Sequence, residues 1–175
     1  QSTGKISSTQ MPSTNPYGTL TLNATSGTSS GAVLMPITSV PVITDGTQVW
    51  TFNYAPSTST ARLDIEYNLV LGSSDISKYI VAGLYINSGN SAVTTSMIRQ
   101  NSATAENGII NLVYNYLPAT TTSWTYDIRV GAGTNTGGVS TTGLNSYGVD
   151  GTSTMYPLFE NGGCTSTARF IEYIP

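Results

Sequence analysis

The clearest pattern of hydrophobic and polar positions lies in residues 122–133, whose sequence is TSWTYDIRVGAG. Apolar residues alternate there with polar ones, namely Trp124, Tyr126, Ile128 and Val130 against Thr125, Asp127 and Arg129. A period of two over this length predicts a β-strand that buries the first set and leaves the second set in water. The rest of the chain is therefore expected to be organised around a β scaffold.

The same alternation recurs along the chain, in TLTLN (19–23), QVWTFNY (48–54), ARLDIEYNLVLG (61–72) and ARFIEYI (168–174), and two further runs lie between turn signals, AVTTSMIRQ (92–100) and IINLVYNYL (109–117). In ARLDIEYNLVLG, the face expected to be buried consists of Leu63, Ile65, Tyr67 and Leu69. In QVWTFNY it consists of Trp50, Phe52 and Tyr54. KYIVAGLYIN (78–87) is apolar on both faces, which predicts a central strand covered on two sides.

Turn-forming residues separate these runs, as at Asp45-Gly46 and Asn107-Gly108. No stretch has a helical period, and about eight to ten strands with such turns predict an all-β fold, an antiparallel β-sandwich of the jelly-roll type. Pro36 and Pro41 place the apolar residues around them in an edge strand or an extended crossing. Residues 1–18 are expected to be a flexible N-terminal arm or linker, and residues 19–175 a single jelly-roll domain.

Charge is unusually sparse in this chain of 175 residues, because Asp, Glu, Lys and Arg make up only 9% of it. The six basic residues are scattered and the net charge is −3, which argues against nucleic-acid binding. No apolar run approaches the roughly 20 residues of a membrane span, so no membrane insertion is expected. The N-terminus does not have the pattern of a signal peptide.

Histidine is absent from the sequence, which excludes a Ser-His-Asp triad and any histidine metal site. The one cysteine, Cys164, has no plausible catalytic base. It is interpreted as a small residue near the start of a strand, and a disulfide between chains is the alternative. No catalytic residue and no cofactor are expected.

Carboxylates are the remaining catalytic option. Asp64 and Glu66 lie about 7 Å apart on one face of a predicted strand, a spacing compatible with glycosidases. Arg62 shares that face, however, and favours a row of surface charges, with which Asp127 and Arg129 could pair across strands.

A glycine-rich loop holds one more candidate, Asp150, which with carbonyl groups could ligate Ca²⁺. A single acid without a second one at ligand spacing favours an ordinary turn. No metal site is therefore predicted.

Tyrosine is abundant, with eleven copies against three of Phe. Those on predicted strands are expected in the core or in subunit contacts, and they are Tyr54, Tyr67, Tyr79, Tyr85, Tyr114 and Tyr126. The irregular segment 131–163 contains a second group beside amide and carboxylate side chains: Tyr147, Tyr156 and Phe159 with Asn145, Asp150 and Asn161. Aromatic rings with polar neighbours suit saccharide binding, and loops on a rigid scaffold are where binding usually occurs. Alternatively, these rings anchor a long loop.

Four segments follow one another along the chain: FNYAPSTSTARLDIEYNLVLG, YIVAGLYINSGNSAV, TTSWTYDIRVGAG and, at the C-terminus, ARFIEYIP. Taken in this order, they resemble the small jelly-roll domains at the ends of tailed-phage fibres. The resemblance extends over about residues 46–175. It implies a fold related to the jelly rolls of tumour necrosis factor and of the complement globular heads.

This resemblance also implies a homotrimer on a virion, outside the cell, that contacts other fibre or tail proteins and binds a saccharide of the host cell surface. The glycan site would use Asn145, Tyr147, Asp150, Tyr156 and Phe159. Two alternatives stay open: a structural virion domain that only trimerises, and an adhesin or carbohydrate-binding module on a bacterial cell surface.

Overall fold

The computed structural model describes residues 18–20, 34–73, 79–99, 107–133, 142–144, 146–148, 155–157 and 166–173. Strands and their connecting turns account for all of these residues, and no helix occurs among them. The predicted all-β class is therefore confirmed. Within the same ranges there is consequently no helix long and apolar enough to cross a membrane.

Twelve strands are formed by the described residues. In chain order they are β1 (Gly18–Leu20), β2 (Leu34–Met35), β3 (Thr47–Tyr54), β4 (Arg62–Ser73), β5 (Tyr79–Ile86), β6 (Thr94–Arg99), β7 (Asn107–Tyr116), β8 (Trp124–Gly133), β9 (Thr142–Leu144), β10 (Ser146–Gly148), β11 (Met155–Pro157) and β12 (Ser166–Tyr173). Each predicted run overlaps one of these strands, although only Thr19 and Leu20 of TLTLN lie in β1 and residues 21–23 fall outside the described residues.

The strands form two five-stranded sheets and a two-stranded ribbon. In the first sheet the order is β1-β12-β4-β7, and β9 also pairs with β4. In the second sheet the order is β3-β8-β5-β6, and β2 also pairs with β8. The ribbon consists of β10 and β11. Strand pairs are antiparallel as predicted, except that the two residues of β2 run parallel to β8.

A hydrophobic core fills the space between the two sheets. The predicted inward face of β4 is confirmed, because Leu63, Ile65 and Leu69 are fully buried. The predicted inward face of β3 is confirmed as well, with Trp50 and Tyr54 buried. The two sheets therefore form the predicted β-sandwich.

Aromatic rings fill one part of this core and centre on Phe170 of β12. Its ring stacks on Phe52 at a centroid distance of 4.7 Å and on Tyr54 at 5.4 Å. Tyr126 and Tyr67 meet the same ring edge-on, at 5.1 Å and 6.1 Å. Phe170 thus joins strands of both sheets through edge-to-face and stacked pairs, which are the favoured aromatic geometries.

The prediction that Asp127 lies on a solvent-exposed face of β8 is wrong, because this residue is only 7% exposed. Asp127 lies on the outer face of the second sheet between Thr51 of β3 and Tyr85 of β5, its Cα partners on the two adjacent strands. Residues 36–46, here called the strap, contact the same face. Arg129 holds the strap by donating hydrogen bonds to the carbonyls of Asp45 and Gly46, at 2.8 Å and 2.9 Å. A sequence period cannot reveal these contacts, because the neighbouring strands and the strap are distant in the chain.

The strap explains the burial of β5. Its prediction as a central strand covered on two sides is confirmed, since every residue between its two ends is buried. Leu84 faces the core, whereas Tyr85 lies under the strap and donates a 3.0 Å hydrogen bond to the carbonyl of Val42. Met35, just before the strap, approaches the outer face at Gly83.

Candidate functional site

Two aromatic residues singled out in the sequence lie opposite each other in the ribbon. β10 and β11 pair antiparallel, and Tyr147 is the Cα partner of Tyr156. Directly opposite residues share a face of an antiparallel pair, with their Cα atoms about 4.5–5.5 Å apart. The ribbon therefore brings the two tyrosine positions together, which sequence spacing alone does not predict.

The ribbon lies at one end of the first sheet. β10 begins soon after β9, which pairs with β4 from Leu71 to Ser73, and β10 itself lies against β4. Arg62 marks the opposite end of β4, about 30 Å away by strand geometry, where it pairs with Tyr173. The other proposed glycan ligands, Asn145, Asp150 and Phe159, fall outside the described residues, and so does Cys164.

The predicted row of charges lies on the outer face of the first sheet. Arg62 Nε lies 3.5 Å from Asp64 Oδ1, and Arg169 of β12 lies 3.4 Å from Glu66 Oε2. The suggested pairing of this row with Asp127 and Arg129 is wrong, because β8 belongs to the other sheet. β12 lies beside β4 instead and supplies the second arginine.

Asp127 has partners of its own on the outer face of the second sheet. Its Oδ1 accepts a 2.7 Å hydrogen bond from Thr51 Oγ1, the residue opposite on β3, and a 3.3 Å bond from Gln48 Nε2. Gln48 also donates to Thr51. These contacts satisfy a nearly buried carboxylate, so this cluster is interpreted as structural.

Glu172 is the other buried acid of the described residues, with 8% exposure. Its Oε2 accepts a 2.7 Å hydrogen bond from the Tyr54 hydroxyl, and its Oε1 accepts a 2.8 Å bond from the Ser57 backbone N–H. The Ser57 hydroxyl donates to the same Oε1. Hydrogen bonds to both carboxylate oxygens again indicate a structural role.

Four of the six strand tyrosines predicted in the core or in subunit contacts are buried: Tyr54, Tyr67, Tyr85 and Tyr126. Burial raises the pKa of all four, and for Tyr54 the hydrogen bond to Glu172 adds to this effect. The pKa of Tyr85 rises to about 12, with Asp45 adding to the effect of burial and Arg129 opposing it. These phenols stay neutral at physiological pH.

The hydroxyls of Tyr126 and Tyr67 differ in their hydrogen bonding. The Tyr126 hydroxyl shares a 2.6 Å hydrogen bond with Tyr116, a half-buried residue of β7. The Tyr67 hydroxyl, in contrast, is buried with no hydrogen-bond partner among the described residues. Its pKa is raised by burial and, secondarily, by the negative charge of Asp127. A neutral phenol inside an aromatic core has no access to substrate.

A surface feature of β7 was missed at the sequence level. Ile109 is 63% exposed, Val113 is 58% exposed and Leu117, just after the strand, is 65% exposed. They alternate with Ile110 and Leu112, which are buried. Because both faces of this run are apolar, alternation of hydrophobicity could not tell the core face from the surface face. The only available signal was the placement of Asn111 and Asn115 on one of the faces.

No group of three or more acidic or cysteine side chains in the described part of the chain could hold a metal ion. No known protein family matches the chain, and no curated protein matches it either.

Proposed function

We propose that this chain is a non-enzymatic fibre-tip or receptor-binding domain of a virion, that it acts as a homotrimer, and that it recognises a glycan of the host cell surface. The observation that carries this proposal is the cross-strand pairing of Tyr147 with Tyr156 in the ribbon. The ribbon is positioned by β4 and β9 of the first sheet. A rigid sheet that presents a short ribbon is a suitable platform for binding.

The chemistry of tyrosine explains why this pair suits a saccharide. A tyrosine ring offers an apolar face to the C–H groups of a sugar, and its hydroxyl can exchange hydrogen bonds with the sugar's hydroxyls. Two tyrosines whose Cα atoms lie about 5 Å apart match the size of one pyranose ring. Amide and carboxylate groups from Asn145 and Asp150 would supply further hydrogen bonds.

Strand order supports the jelly-roll assignment that the resemblance implies. Consecutive strands from β3 to β8 alternate between the two sheets, except for the β5–β6 hairpin. β12 lies between β1 and β4, so the first and last described strands are neighbours in one sheet. Without the short strands β2 and β9, each sheet has four strands, and two Greek keys produce an eight-stranded double sheet of this kind.

Pairing of the acidic groups supports a non-enzymatic role. Among the described residues, Asp64 and Glu66 face arginines, whereas Asp127 and Glu172 accept hydrogen bonds from neighbouring strands or turns. A glycosidase needs an acid with a raised pKa beside an ionised partner, both open to the substrate. Release of reducing ends from host polysaccharide would contradict this part of the proposal.

A glycan array probed with the full chain tests the binding function. The wild type is expected to bind, and Tyr147→Ala and Tyr156→Ala are expected to lose most of the signal because each removes a ring. Tyr173→Ala is the matched control, since Tyr173 of β12 pairs with Arg62, at the end of β4 that is far from the ribbon. Absence of binding to any array glycan and to host envelope preparations would contradict the proposal, as would full binding by both ribbon variants.

The second candidate function is a structural virion domain that only trimerises. It is favoured by the exposed aliphatic residues of β7, which suit assembly. A trimer that binds no glycan would support this candidate. A monomer that binds glycan would instead support the third reading, a bacterial adhesin or carbohydrate-binding module.

A further inference from the structure

Three polar side chains meet on the outer face of the second sheet. Asp127 Oδ1 accepts a 2.7 Å hydrogen bond from the Thr51 hydroxyl and a 3.3 Å bond from the amide nitrogen of Gln48, and this amide also donates to Thr51. A hydroxyl, a carboxylate and a carboxamide are therefore in mutual contact. Besides stabilising the fold, this set contains a nucleophile, a base and an acyl group.

A β-bulge in β3 produces the cluster. Gln48 and Trp50 are the Cα partners of consecutive residues of β8, so Val49 between them is an extra residue. In a regular strand, Gln48 and Thr51 would lie on opposite faces, because they are three positions apart. Bulges are frequent beside active sites, where they redirect a side chain. This bulge places Gln48 on the face that carries Thr51 and Asp127.

Asp127 Oδ1 is positioned to move a proton from the nucleophile to the leaving group. It can accept the hydroxyl proton of Thr51 while that oxygen attacks the side-chain carbonyl carbon of Gln48. It can then give the proton to the amide nitrogen, which lies 3.3 Å from the same oxygen. The C–O bond of an ester forms, the C–N bond breaks, and ammonia leaves with two amide hydrogens and the former hydroxyl hydrogen. The reaction needs no oxidant and no cofactor.

The surroundings of the cluster favour this reaction. The hydrogen bonds hold the reacting groups beside one another, which replaces a bimolecular encounter. Gln48 and Thr51 are exposed, so ammonia can diffuse away. Arg129 is the Cα partner of Gln48 and shares its face, and a positive charge there favours the negative oxygen that develops during the attack.

We propose that Gln48 and Thr51 form an intramolecular ester, with Asp127 as the base that produces it. The bond would close a covalent ring across the bulge and hold β3 in its native register. All reacting groups belong to one chain, so the reaction is expected in the purified, folded protein. This inference depends neither on glycan binding nor on the trimeric state.

Mass spectrometry of one tryptic fragment tests for the ester. Cleavage after Lys5 and Arg62 releases residues 6–62, which contain both reacting groups. The fragment from the folded wild type is expected to be lighter than its sequence mass by one ammonia molecule. Hydroxylamine cleaves esters and should add its own mass to this lighter fragment. Gln1, which can also lose ammonia by cyclising at the N-terminus, lies outside the fragment.

Three variants remove one group each: Thr51→Val the nucleophile, Gln48→Ala the acyl group and Asp127→Asn the base. All three fragments are expected to keep their full sequence mass. Because Asp127 is nearly buried, circular dichroism must show that its variant is folded, whereas Gln48 is exposed and its replacement is expected to leave the fold intact.

Asn53→Ala is the matched control. Asn53 is another exposed amide of β3, and it accepts a 2.9 Å hydrogen bond from the hydroxyl of Thr125. Within the described part of the chain, however, no carboxylate is hydrogen-bonded to that pair. Asn53→Ala should therefore lose one ammonia molecule from residues 6–62 as the wild type does.

A wild-type fragment that keeps its full sequence mass after prolonged incubation of the folded protein at neutral pH would overturn the proposal. So would a loss of ammonia that persists in Thr51→Val or in Gln48→Ala, because the ester needs both groups. A loss that persists in folded Asp127→Asn would overturn the assignment of Asp127 as the base.

Discussion

The hydroxyl of Tyr54 donates a 2.7 Å hydrogen bond to Oε2 of Glu172, and this bond joins β3 of the second sheet to β12 of the first. Ser57, in the turn after β3, donates to the other oxygen through its backbone N–H and its hydroxyl. Glu172 is thus a buried acid with three donors from one strand and its following turn. It ties the last described strand to the turn that begins β4.

Replacing Glu172 by Gln should lower the free energy of unfolding by about 1–3 kcal/mol. The amide removes the charge from three hydrogen bonds, and its NH₂ group meets donors rather than acceptors. Urea denaturation measures the change. Glu66→Gln is the matched control, because that carboxylate is partly exposed and, within the described part of the chain, forms a surface ion pair with Arg169, so about 0–1 kcal/mol is expected. Equal effects of the two substitutions would contradict the structural role of Glu172.

Removing the hydroxyl of Thr51 should destabilise the protein by about 1–3 kcal/mol, because the nearly buried carboxylate of Asp127 loses its shortest donor. Thr51→Val keeps the shape of the side chain, and thermal unfolding reports the loss. Thr95→Val on the exposed face of β6 is the control and should change little. If both variants unfold at the same temperature as the wild type, the hydroxyl of Thr51 does not stabilise the carboxylate of Asp127.

Alkaline pH should unfold the protein through its buried tyrosines. The folded-state pKa values of Tyr54, Tyr67, Tyr85 and Tyr126 lie above the ordinary value of 10.0, so ionisation favours the unfolded chain. Their contribution to stability is complete below pH 10 and is lost as pH rises, for Tyr85 through its pKa of about 12. The loss is up to about 1.4 kcal/mol per pH unit for each tyrosine.

Denaturation at pH 8, 10 and 11 measures this loss, and phenolate absorbance reports the ionisation directly. The expected absorbance rise comes in two phases, because exposed tyrosines titrate first. Stability that is unchanged between pH 10 and pH 11, or a single titration at the ordinary pKa, would show that these phenols are accessible to water.

Gly46 is expected to resist substitution because its φ is +64°, in the left-handed region. A Cβ there would lie 2.8 Å from the carbonyl oxygen of Val130 and 2.7 Å from Sδ of Met35. Gly46→Ala should therefore destabilise the protein by at least about 1–3 kcal/mol in urea denaturation. Gly89→Ala is the milder comparison, since its φ is not positive and its nearest neighbour is 3.1 Å away. A smaller effect at Gly46 than at Gly89 would contradict the tight seating of the strap.

Much of the sandwich could be predicted from local alternation. In β4, apolar and polar residues alternate because one face meets the core and the other meets water, so Leu63 and Ile65 were assigned correctly. β5 was assigned correctly as well, because a strand covered on both sides has no polar face. These assignments depend only on whether each face of the strand is buried, and the order of apolar and polar residues within the strand reflects that burial.

Relationships between distant segments could not be predicted in this way. Asp127 belongs to a polar face by period, yet it is buried, and its neighbours Thr51 and Tyr85 belong to strands that are distant in the sequence. The pairing of Tyr147 with Tyr156 depends on the register of two three-residue strands. Strands this short do not show enough of a hydrophobic period to define their register. The exposure of Val113 depends on which face of β7 meets the other sheet.

Hydrogen exchange with and without a saccharide that binds on the array locates the binding site directly. We expect slower exchange in peptides that contain β10 and β11, around Tyr147 and Tyr156, and unchanged exchange at the Arg62 end of β4. Protection confined to other parts of the chain at saturating saccharide, with the ribbon unaffected, would contradict the proposed glycan site.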